Sequence, residues 1–222
     1  MLRRYLTPAE QQTLLRTVSQ PANLLARRDA AWINALMLSG LRIEEFSRIT
    51  LGCAAAALQS KYLFVPKEHR KGRQHDHSVF VTVQLRAALA SLIQIRFEIT
   101  GAKDADVDGA LVVSRQHKTC APMSVRSFQL RFKHWAALAG LPDDASPHWL
   151  RHTRAMNIMR QSAAQDPRGV AKAALGHRNI SSTGVYTGVV REDVEQALST
   201  TDAPKGRRVT LTALRTTFEN RS

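Results

Sequence analysis

The stretch Ser146-Pro-His-Trp-Leu-Arg-His152 places two histidines and an arginine near the predicted start of a helix. Pro147 suits the first turn of a helix, so His148 lies in that turn, and Arg151 and His152 follow three and four residues later. At this spacing the three side chains share one face of the helix or its edge. Because a helix N-terminus also offers free N–H groups, the stretch predicts a cationic pocket for a phosphate. A capping histidine beside a solvated arginine is the alternative.

A second segment, Leu175-Gly-His-Arg-Asn-Ile-Ser-Ser-Thr-Gly-Val-Tyr186, combines a helix break with a phenol. Gly176 is predicted to end one helix, His177 follows the break, and Tyr186 comes nine residues after His177. A tyrosine hydroxyl can act as a nucleophile when nearby cations balance its developing charge. For a lone tyrosine, a packed ring with a hydrogen-bonded hydroxyl is the more ordinary role.

A third segment, Gly40-Leu-Arg-Ile-Glu-Glu-Phe46, places Arg42 after a helix break and Glu45 three residues later. As a surface ion pair, these two side chains would contribute under about 1 kcal/mol to stability. The functional alternative is a second guanidinium fork that binds phosphate oxygens in one plane.

The overall charge indicates what kind of partner these segments meet. Of the 222 residues, 32 are Lys or Arg and 18 are Asp or Glu, which gives a net charge of +14. This charge favours a polyanion, above all nucleic acid, although a basic enzyme or an anionic membrane surface would also fit it. Aromatic residues make up only 6%, which argues against a single-strand reader that stacks bases and favours a duplex binder.

Composition also excludes several classes of protein. A hydrophobic content of 44% is enough for a folded core, and no apolar run approaches the roughly 20 residues of a membrane span. The N-terminus lacks the apolar core of a secretory signal. Two cysteines are too few for a disulfide framework or a four-cysteine zinc site. We therefore expect a cytoplasmic protein that makes no membrane contact.

Hydrophobic periodicity predicts a fold that is mainly α with a small antiparallel β-sheet (α+β). Strands are predicted at 61–65 and 78–83, joined by a long polar hairpin loop at 67–77, and 110–113 reads as a short third strand. The alanine run at 54–57 is assigned to no element. The helices are predicted after Thr7 and at about 23–38, 42–49, 85–99, 125–139, 148–162, 167–175, 181–188 and 191–199.

Together and in this order, the three segments resemble the signature motifs of the tyrosine recombinase (phage integrase) family. The first arginine motif is similar to Gly-Leu-Arg42-x-x-Glu45, and the His-x-x-Arg box to His148-x-Leu-Arg151-His152-Thr153. Leu175-Gly-His177 followed by Tyr186 is similar to the third motif. The resemblance runs from about Leu6 to Val190 and implies the catalytic-domain fold of that family.

The hairpin loop resembles the segment in which this family carries a lysine. Lys71-Gly is chosen for its central position and the glycine after it, while Lys67, Arg70 and Arg73 lie close by. The resemblance implies that Lys71 protonates the leaving 5′-oxygen of DNA.

For the other residues, the resemblance implies a metal-free transesterification without cofactors. Tyr186 would attack a DNA phosphodiester and form a 3′-phosphotyrosine, while Arg42 and Arg151 clamp the non-bridging oxygens. His148 would help to move the Tyr186 proton, and His177 would donate a hydrogen bond to the phosphate. The remaining two residues, Glu45 and His152, would support this site.

The resemblance also implies a domain organisation. Residues 1–199 are assigned to the catalytic domain and 200–222 to a basic C-terminal tail, with no N-terminal core-binding domain. The chain then resembles short members such as the fimbrial-switch invertases, or it depends on an accessory DNA-binding protein; a truncated or regulatory product is a further alternative. The expected partner is double-stranded DNA, on which a homodimer or tetramer assembles. The expected location is cytoplasmic and nucleoid-associated.

Rival functions remain open at this point. His69, His75, His77 and the pair His148/His152 could suggest zinc, but the pair lacks the glutamate of a zincin motif and has an arginine between its histidines. A type IB topoisomerase uses a similar set of residues. A non-catalytic DNA-binding protein would keep the charge, but it has no need of Tyr186 together with both arginines.

Overall fold

Eleven α- and β-elements and one 3₁₀ turn make up the part of the chain that a computed structural model describes, residues 5–72, 74–101, 106–114, 121–176 and 191–202. The helices are α1 (Pro8–Ser19), α2 (Leu24–Ser39), α3 (Ile43–Phe46), α4 (Leu51–Gln59), α5 (Val83–Thr100), α6 (Val125–Leu138), α7 (Pro147–Gln161), α8 (Pro167–Ala174) and α9 (Arg191–Asp202). The strands are β1 (Tyr62–Val65) and β2 (His77–Phe80). The fold is therefore mainly α with a small antiparallel sheet, as the sequence predicted.

Side-chain caps explain why several helices begin where they do. Thr7 and Glu10 form a capping box at α1, in which the Thr7 N–H donates to Glu10 Oε2 (2.7 Å) and the Glu10 N–H donates to Thr7 Oγ1 (3.3 Å). Gly40 ends α2 in the left-handed conformation, with φ of 64°. An added Cβ there would lie 2.5 Å from Leu175 Cδ2, so Gly40 allows α2 and the end of α8 to approach closely.

Of the three hydrophobic clusters among the described residues, two hold most of the helices together. The larger one is centred on Trp32, whose ring meets Phe128 edge-on at 4.9 Å between centroids, and Phe46 meets Phe128 at 6.2 Å. The smaller one joins α7, α8 and α9 through residues that include Ile158, Val170 and Leu198. The C-terminal end of α9 is fastened to α7 because the buried Asp202 accepts hydrogen bonds from the Arg154 guanidinium.

The hairpin lies next to these helices and presents its loop at one end. In its register, Tyr62 pairs with Phe80 and Val65 pairs with His77. The loop between the strands contains a 3₁₀ turn, Lys67–His69, and then returns to β2. Because the strands are only four residues long, the loop forms much of the hairpin.

The structure corrects two secondary-structure predictions. The alanine run lies inside helix α4, where Thr50 accepts a hydrogen bond from the Cys53 N–H; alanine is the strongest helix former, and Ala54 and Ala57 are buried. The predicted strand at 110–113 is wrong, because this segment makes only isolated bridges, Thr50 to Ala110 and Val113 to Pro122. Single bridges to two different loops cannot build a ladder.

Two further predictions concern the end of the chain. The helix predicted at 181–188 lies outside the described residues. Helix α9 continues to Asp202, three residues past the predicted end at 199. Among the residues that the structure describes, no helix is long and apolar enough to cross a membrane.

Candidate active site

A buried carboxylate, Glu45, is the centre of a cluster of cations. Glu45 is 2% exposed, and its Oε2 accepts a hydrogen bond from the Arg42 backbone N–H (2.9 Å) while Oε1 accepts one from Arg42 Nη1 (2.9 Å). Burial works to raise the pKa of Glu45, but the hydrogen bonds from Arg42 and the positive charges of Arg42 and Arg151 together lower it. Glu45 is therefore held ionised as a counter-ion. The supporting role predicted for it stays a prediction.

Arg151 reaches this cluster from the first turns of α7. Its Nη1 donates to the Gly40 carbonyl (2.6 Å), its Nη2 donates to the Leu175 carbonyl (2.9 Å), and Nη1 lies 3.9 Å from Glu45 Oε2. Burial, followed by the charge of Arg42, lowers the pKa of Arg151 to about 10, and Glu45 opposes that change. Arg151 remains a cation at neutral pH, fixed between the end of α2 and the end of α8.

Arg70, from the hairpin loop, is a third guanidinium beside Glu45. Its Nε lies 3.6 Å from Glu45 Oε1, and its Nη2 donates to the Gly176 carbonyl (2.8 Å). Its Nη1 donates to the His75 carbonyl (3.0 Å), so the Arg70 side chain also links two parts of the hairpin loop. The side chain is 10% exposed, so Arg70 is part of the interior of the site.

His77, at the start of β2, is buried next to Arg70. Burial is the largest cause that lowers the pKa of His77 to about 4; the positive charge of Arg70 adds to it and Glu45 opposes it. The imidazole is therefore neutral at pH 7. It makes a hydrogen bond with the Ala174 backbone, and its Nε2 has no hydrogen-bond partner.

The side chains of Arg42 and Arg70 border an open cleft of about 490 Å³. Arg42, Lys71 and His148 all line it, and Arg42 is 28% exposed there. The ring of His152 meets that of His148 nearly at a right angle, with 4.4 Å between centroids. An anion in this cleft would meet side chains from α3, the hairpin loop and α7 at once.

The structure thus brings together most of the residues that the sequence singled out. Glu45 and Arg151 lie within the cluster, while three others line the cleft beside it: Arg42, Lys71 and His148. His152 adjoins His148. His177 and Tyr186 lie outside the described residues, so their positions, like the roles of all eight residues, stay predictions.

The contributions of Arg70 and His77 to this site were not predicted from the sequence. Arg70 was only an alternative to Lys71, because four cations follow one another in a polar loop and spacing does not show which one turns inward. For His77 a signal existed. His77 and Val79 are both buried while Ser78 between them is exposed, which is the alternation of a half-buried strand, and the predicted start of that strand was one residue too late.

The family model described as "Phage integrase family" matches residues 4–192. This chain belongs to the phage integrase family. The confirmed resemblance therefore rests on most of the chain and not on the motifs alone.

Relatives in the phage integrase family are tyrosine recombinases. The chain is 34% identical to "Tyrosine recombinase XerC" of Ralstonia pickettii (strain 12J), over 72% of this chain and 49% of that protein. It is 30% identical to "Tyrosine recombinase XerD" of Xanthomonas campestris pv. campestris, over 82% and 54%. The chain thus spans about half the length of these curated relatives.

Solved structures of phage integrase family members share the fold. The XerA recombinase crystal structure matches with a TM-score of 0.61 at 20% identity, covering 100% of this chain and 66% of that one. The λ integrase catalytic core matches with a TM-score of 0.54 at 17% identity, covering 79% of this chain and 96% of that one. These matches confirm the predicted fold, that of a tyrosine recombinase catalytic domain.

Proposed function

We propose that this chain is the catalytic domain of a tyrosine-type, site-specific DNA recombinase, which cleaves and rejoins double-stranded DNA through a 3′-phosphotyrosine. The observation that carries the proposal is the convergence of Arg42 and Arg151 on the buried Glu45, beside a cleft lined by Lys71 and His148. Family membership and the names of the relatives favour strand exchange over both a type IB topoisomerase and a non-catalytic DNA-binding protein.

The proposed chemistry uses each group for what its atoms can do. The Tyr186 oxygen attacks phosphorus, the bond from phosphorus to the 5′-oxygen breaks, and Lys71 gives a proton to that leaving oxygen. The two guanidiniums stabilise the charge that develops on the non-bridging oxygens. Since the phosphodiester energy is kept in the phosphotyrosine, a second 5′-hydroxyl reverses the step without ATP.

The other histidines complete this proposal. His148, which lines the cleft, helps to move the Tyr186 proton, and His177 donates a hydrogen bond to the phosphate. His152 supports His148, whose ring it meets edge-on. Two fixed guanidiniums supply the charge that metal ions supply in many phosphoryl-transfer enzymes, so the step requires neither metal nor cofactor.

The proposed assembly on DNA is based on solved structures of λ integrase. The λ integrase has been solved as a dimer bound to a core site and as a tetramer bound to a Holliday junction. We propose the same for this chain: dimers on each DNA site and a tetramer on two sites, with an accessory DNA-binding protein where the chain alone does not hold its DNA. The domain end expected at 199 is moved to 202, because α9 ends at Asp202 and Arg154 of α7 binds that residue; we propose that 203–222 form the basic tail. A DNA substrate implies a cytoplasmic, nucleoid-associated location.

A nicked suicide substrate tests the nucleophile. The wild-type protein is expected to form a covalent DNA adduct that survives a denaturing gel, and Tyr186→Phe to form none, because the reacting oxygen is gone. Its DNA binding should persist, since the arginines remain. An adduct in Tyr186→Phe would show that another residue attacks. Inhibition of wild-type cleavage by a chelator would contradict the metal-free step.

A further inference from the structure

The C-terminal end of α8 is held by three side chains from three parts of the chain. His77 of β2 bonds with the Ala174 backbone, Arg151 of α7 donates to the Leu175 carbonyl, and Arg70 of the hairpin loop donates to the Gly176 carbonyl. Each of the three consecutive residues 174–176 is thus bound by one side chain. Two of these side chains come from the hairpin and one comes from α7. The end of α8 therefore cannot move without breaking bonds to the hairpin and to α7.

The space around Gly176 is filled by the same two hairpin side chains. Gly176 has φ of +63°, and an added Cβ would lie 2.5 Å from Arg70 Nη2 and 2.8 Å from His77 Nδ1. Non-bonded contacts of a Cβ are essentially never this short, so the backbone at Gly176, just beyond α8, rests directly on Arg70 and His77. Small displacements of either side chain would be transmitted to this backbone.

Charge explains why these side chain types suit the place. The C-terminus of a helix carries a partial negative charge, which cations stabilise. Arg70 and Arg151 supply the positive charge and share Glu45 as their counter-ion. His77 adds a donor without a further charge, because its imidazole is neutral beside the two guanidiniums.

Stability alone does not explain this arrangement. Within the described part of the chain, Arg70 Nε and His77 Nε2 are buried atoms without a hydrogen-bond partner. Arg70 Nε still faces Glu45 Oε1 at 3.6 Å, but His77 Nε2 costs about 1–3 kcal/mol, which an apolar side chain would avoid. A buried polar atom without a partner calls for an explanation, and a role at the neighbouring site is one.

We propose that Arg70 and His77 are positioning residues, which fix the end of α8, and with it the point from which the chain continues to His177, relative to Arg151. The inference rests on the proposed function. Arg70 also lines the cleft, but the role that we assign to both residues is to act through the backbone of residues 174–176.

The polar pair His77→Asn and His77→Gln tests the position of the donor. An asparagine amide can place its N–H where His77 has Nδ1, whereas a glutamine amide reaches the Nε2 position, so both variants stay polar and similar in size. On the suicide substrate at saturating DNA, His77→Asn is expected to cleave within about threefold of wild type, and His77→Gln at least about tenfold more slowly, as for a misplacement near 1 Å. Equal rates in both variants would overturn the assignment of His77.

Arg70→Met tests the guanidinium, with Arg27→Met as the control for lost charge. Arg27 pairs with Glu98 on the surface, near the start of α2 and so at the opposite end of that helix from Gly40. Arg70→Met is expected to lower the cleavage rate at saturating DNA at least about tenfold, and Arg27→Met less than about twofold. Thermal unfolding of both variants checks that each is folded at the temperature of the cleavage assay. A wild-type rate in Arg70→Met would overturn its assignment.

A double-mutant cycle separates positioning from general destabilisation. If Arg70 acts through His177, then Arg70→Met should slow cleavage less than about threefold when His177→Ala is already present. A full, additive loss in that background would overturn the inference while the recombinase proposal stands. If wild-type protein forms no adduct at all, the proposed function itself is wrong.

Discussion

Two buried carboxylates in this protein each collect arginines, yet they are built differently. Asp29 is fully buried, and it accepts five hydrogen bonds, all between 2.6 and 3.2 Å; the donors are Arg28 Nε and Nη2, Arg131 Nε, Trp32 Nε1 and Trp135 Nε1. Glu45 also lies among arginines, but its hydrogen bonds come from Arg42, and the guanidiniums of Arg70 and Arg151 stay 3.6 and 3.9 Å away.

We propose that this difference separates a structural centre at Asp29 from a reactive one at Glu45. At Asp29 the donors are directed at the carboxylate, so the cluster fastens α2 to α6. At Glu45 the cations are kept charged and close together, yet they bond backbone carbonyls or border the cleft. A loosely paired counter-ion leaves positive charge available for a phosphate.

The largest effect is expected at Asp29. Asp29→Asn removes the charge and turns an amide N–H toward donors, so the free energy of unfolding should fall by about 3–5 kcal/mol in urea denaturation. Asp108→Asn, at an exposed position, is the matched control and should change it by under about 0.5 kcal/mol. A loss below about 1 kcal/mol in Asp29→Asn would show that the Asp29 cluster is not a structural centre.

The pH dependence of stability is expected to report on the Glu45 cluster through His77. The folded pKa of about 4 lies below the ordinary value of 6.5, so the unfolded chain takes up a proton first as pH falls. The stabilisation is present above pH 6.5 and is lost between 6.5 and 4, and the gap corresponds to about 3 kcal/mol.

The charged groups that face His77 set this window. Arg70 and Arg151 oppose its protonation, and Glu45, whose own pKa is lowered, favours it. Denaturation curves from pH 7 to pH 4 check the effect, and His77→Asn should flatten the slope because the amide does not titrate. Identical slopes in the variant and the wild type would mean that His77 is not buried in its neutral form.

The smallest effect is expected at Glu45, and it tests whether the arginines around Glu45 can bind an anion. Glu45→Gln leaves Arg42, Arg70 and Arg151 without their counter-ion, so sulfate should bind at the cleft and restore stability by about 1.4 kcal/mol at ten times its Kd. Thermal unfolding in sulfate and in chloride of equal ionic strength measures this gain. Asp29→Asn should gain no more than wild type does. An equal gain in both variants would show that the two clusters do not differ in access.

Local parts of this site were predictable because they depend on near neighbours in sequence. The Arg42–Glu45 pair, three residues apart, forms at 2.9 Å as that spacing allows. The capping box at α1 follows from Thr7 and Glu10 in the same way. The alanine-rich α4 was missed although propensity favours it, because its sequence lacks the apolar–polar alternation that signals a helix face.

Choices between adjacent residues were not predictable. Arg70 and Lys71 stand side by side in one polar loop and both line the cleft, but Arg70 also reaches inward to Glu45 and Gly176. Which of them turns inward depends on the distance from the loop to α8, and loop composition carries no information about that distance.

The amino-acid sequence by itself determined the family, the helical character and the motifs, since these depend on residue types at short spacings. Tertiary structure alone decided that guanidiniums from α3, the hairpin loop and α7 share one buried carboxylate, and that Arg70 and His77 end on α8. The physical reason is that such contacts join elements far apart along the chain. Their distances are set by how the helices pack, and a single sequence does not encode packing in any local pattern.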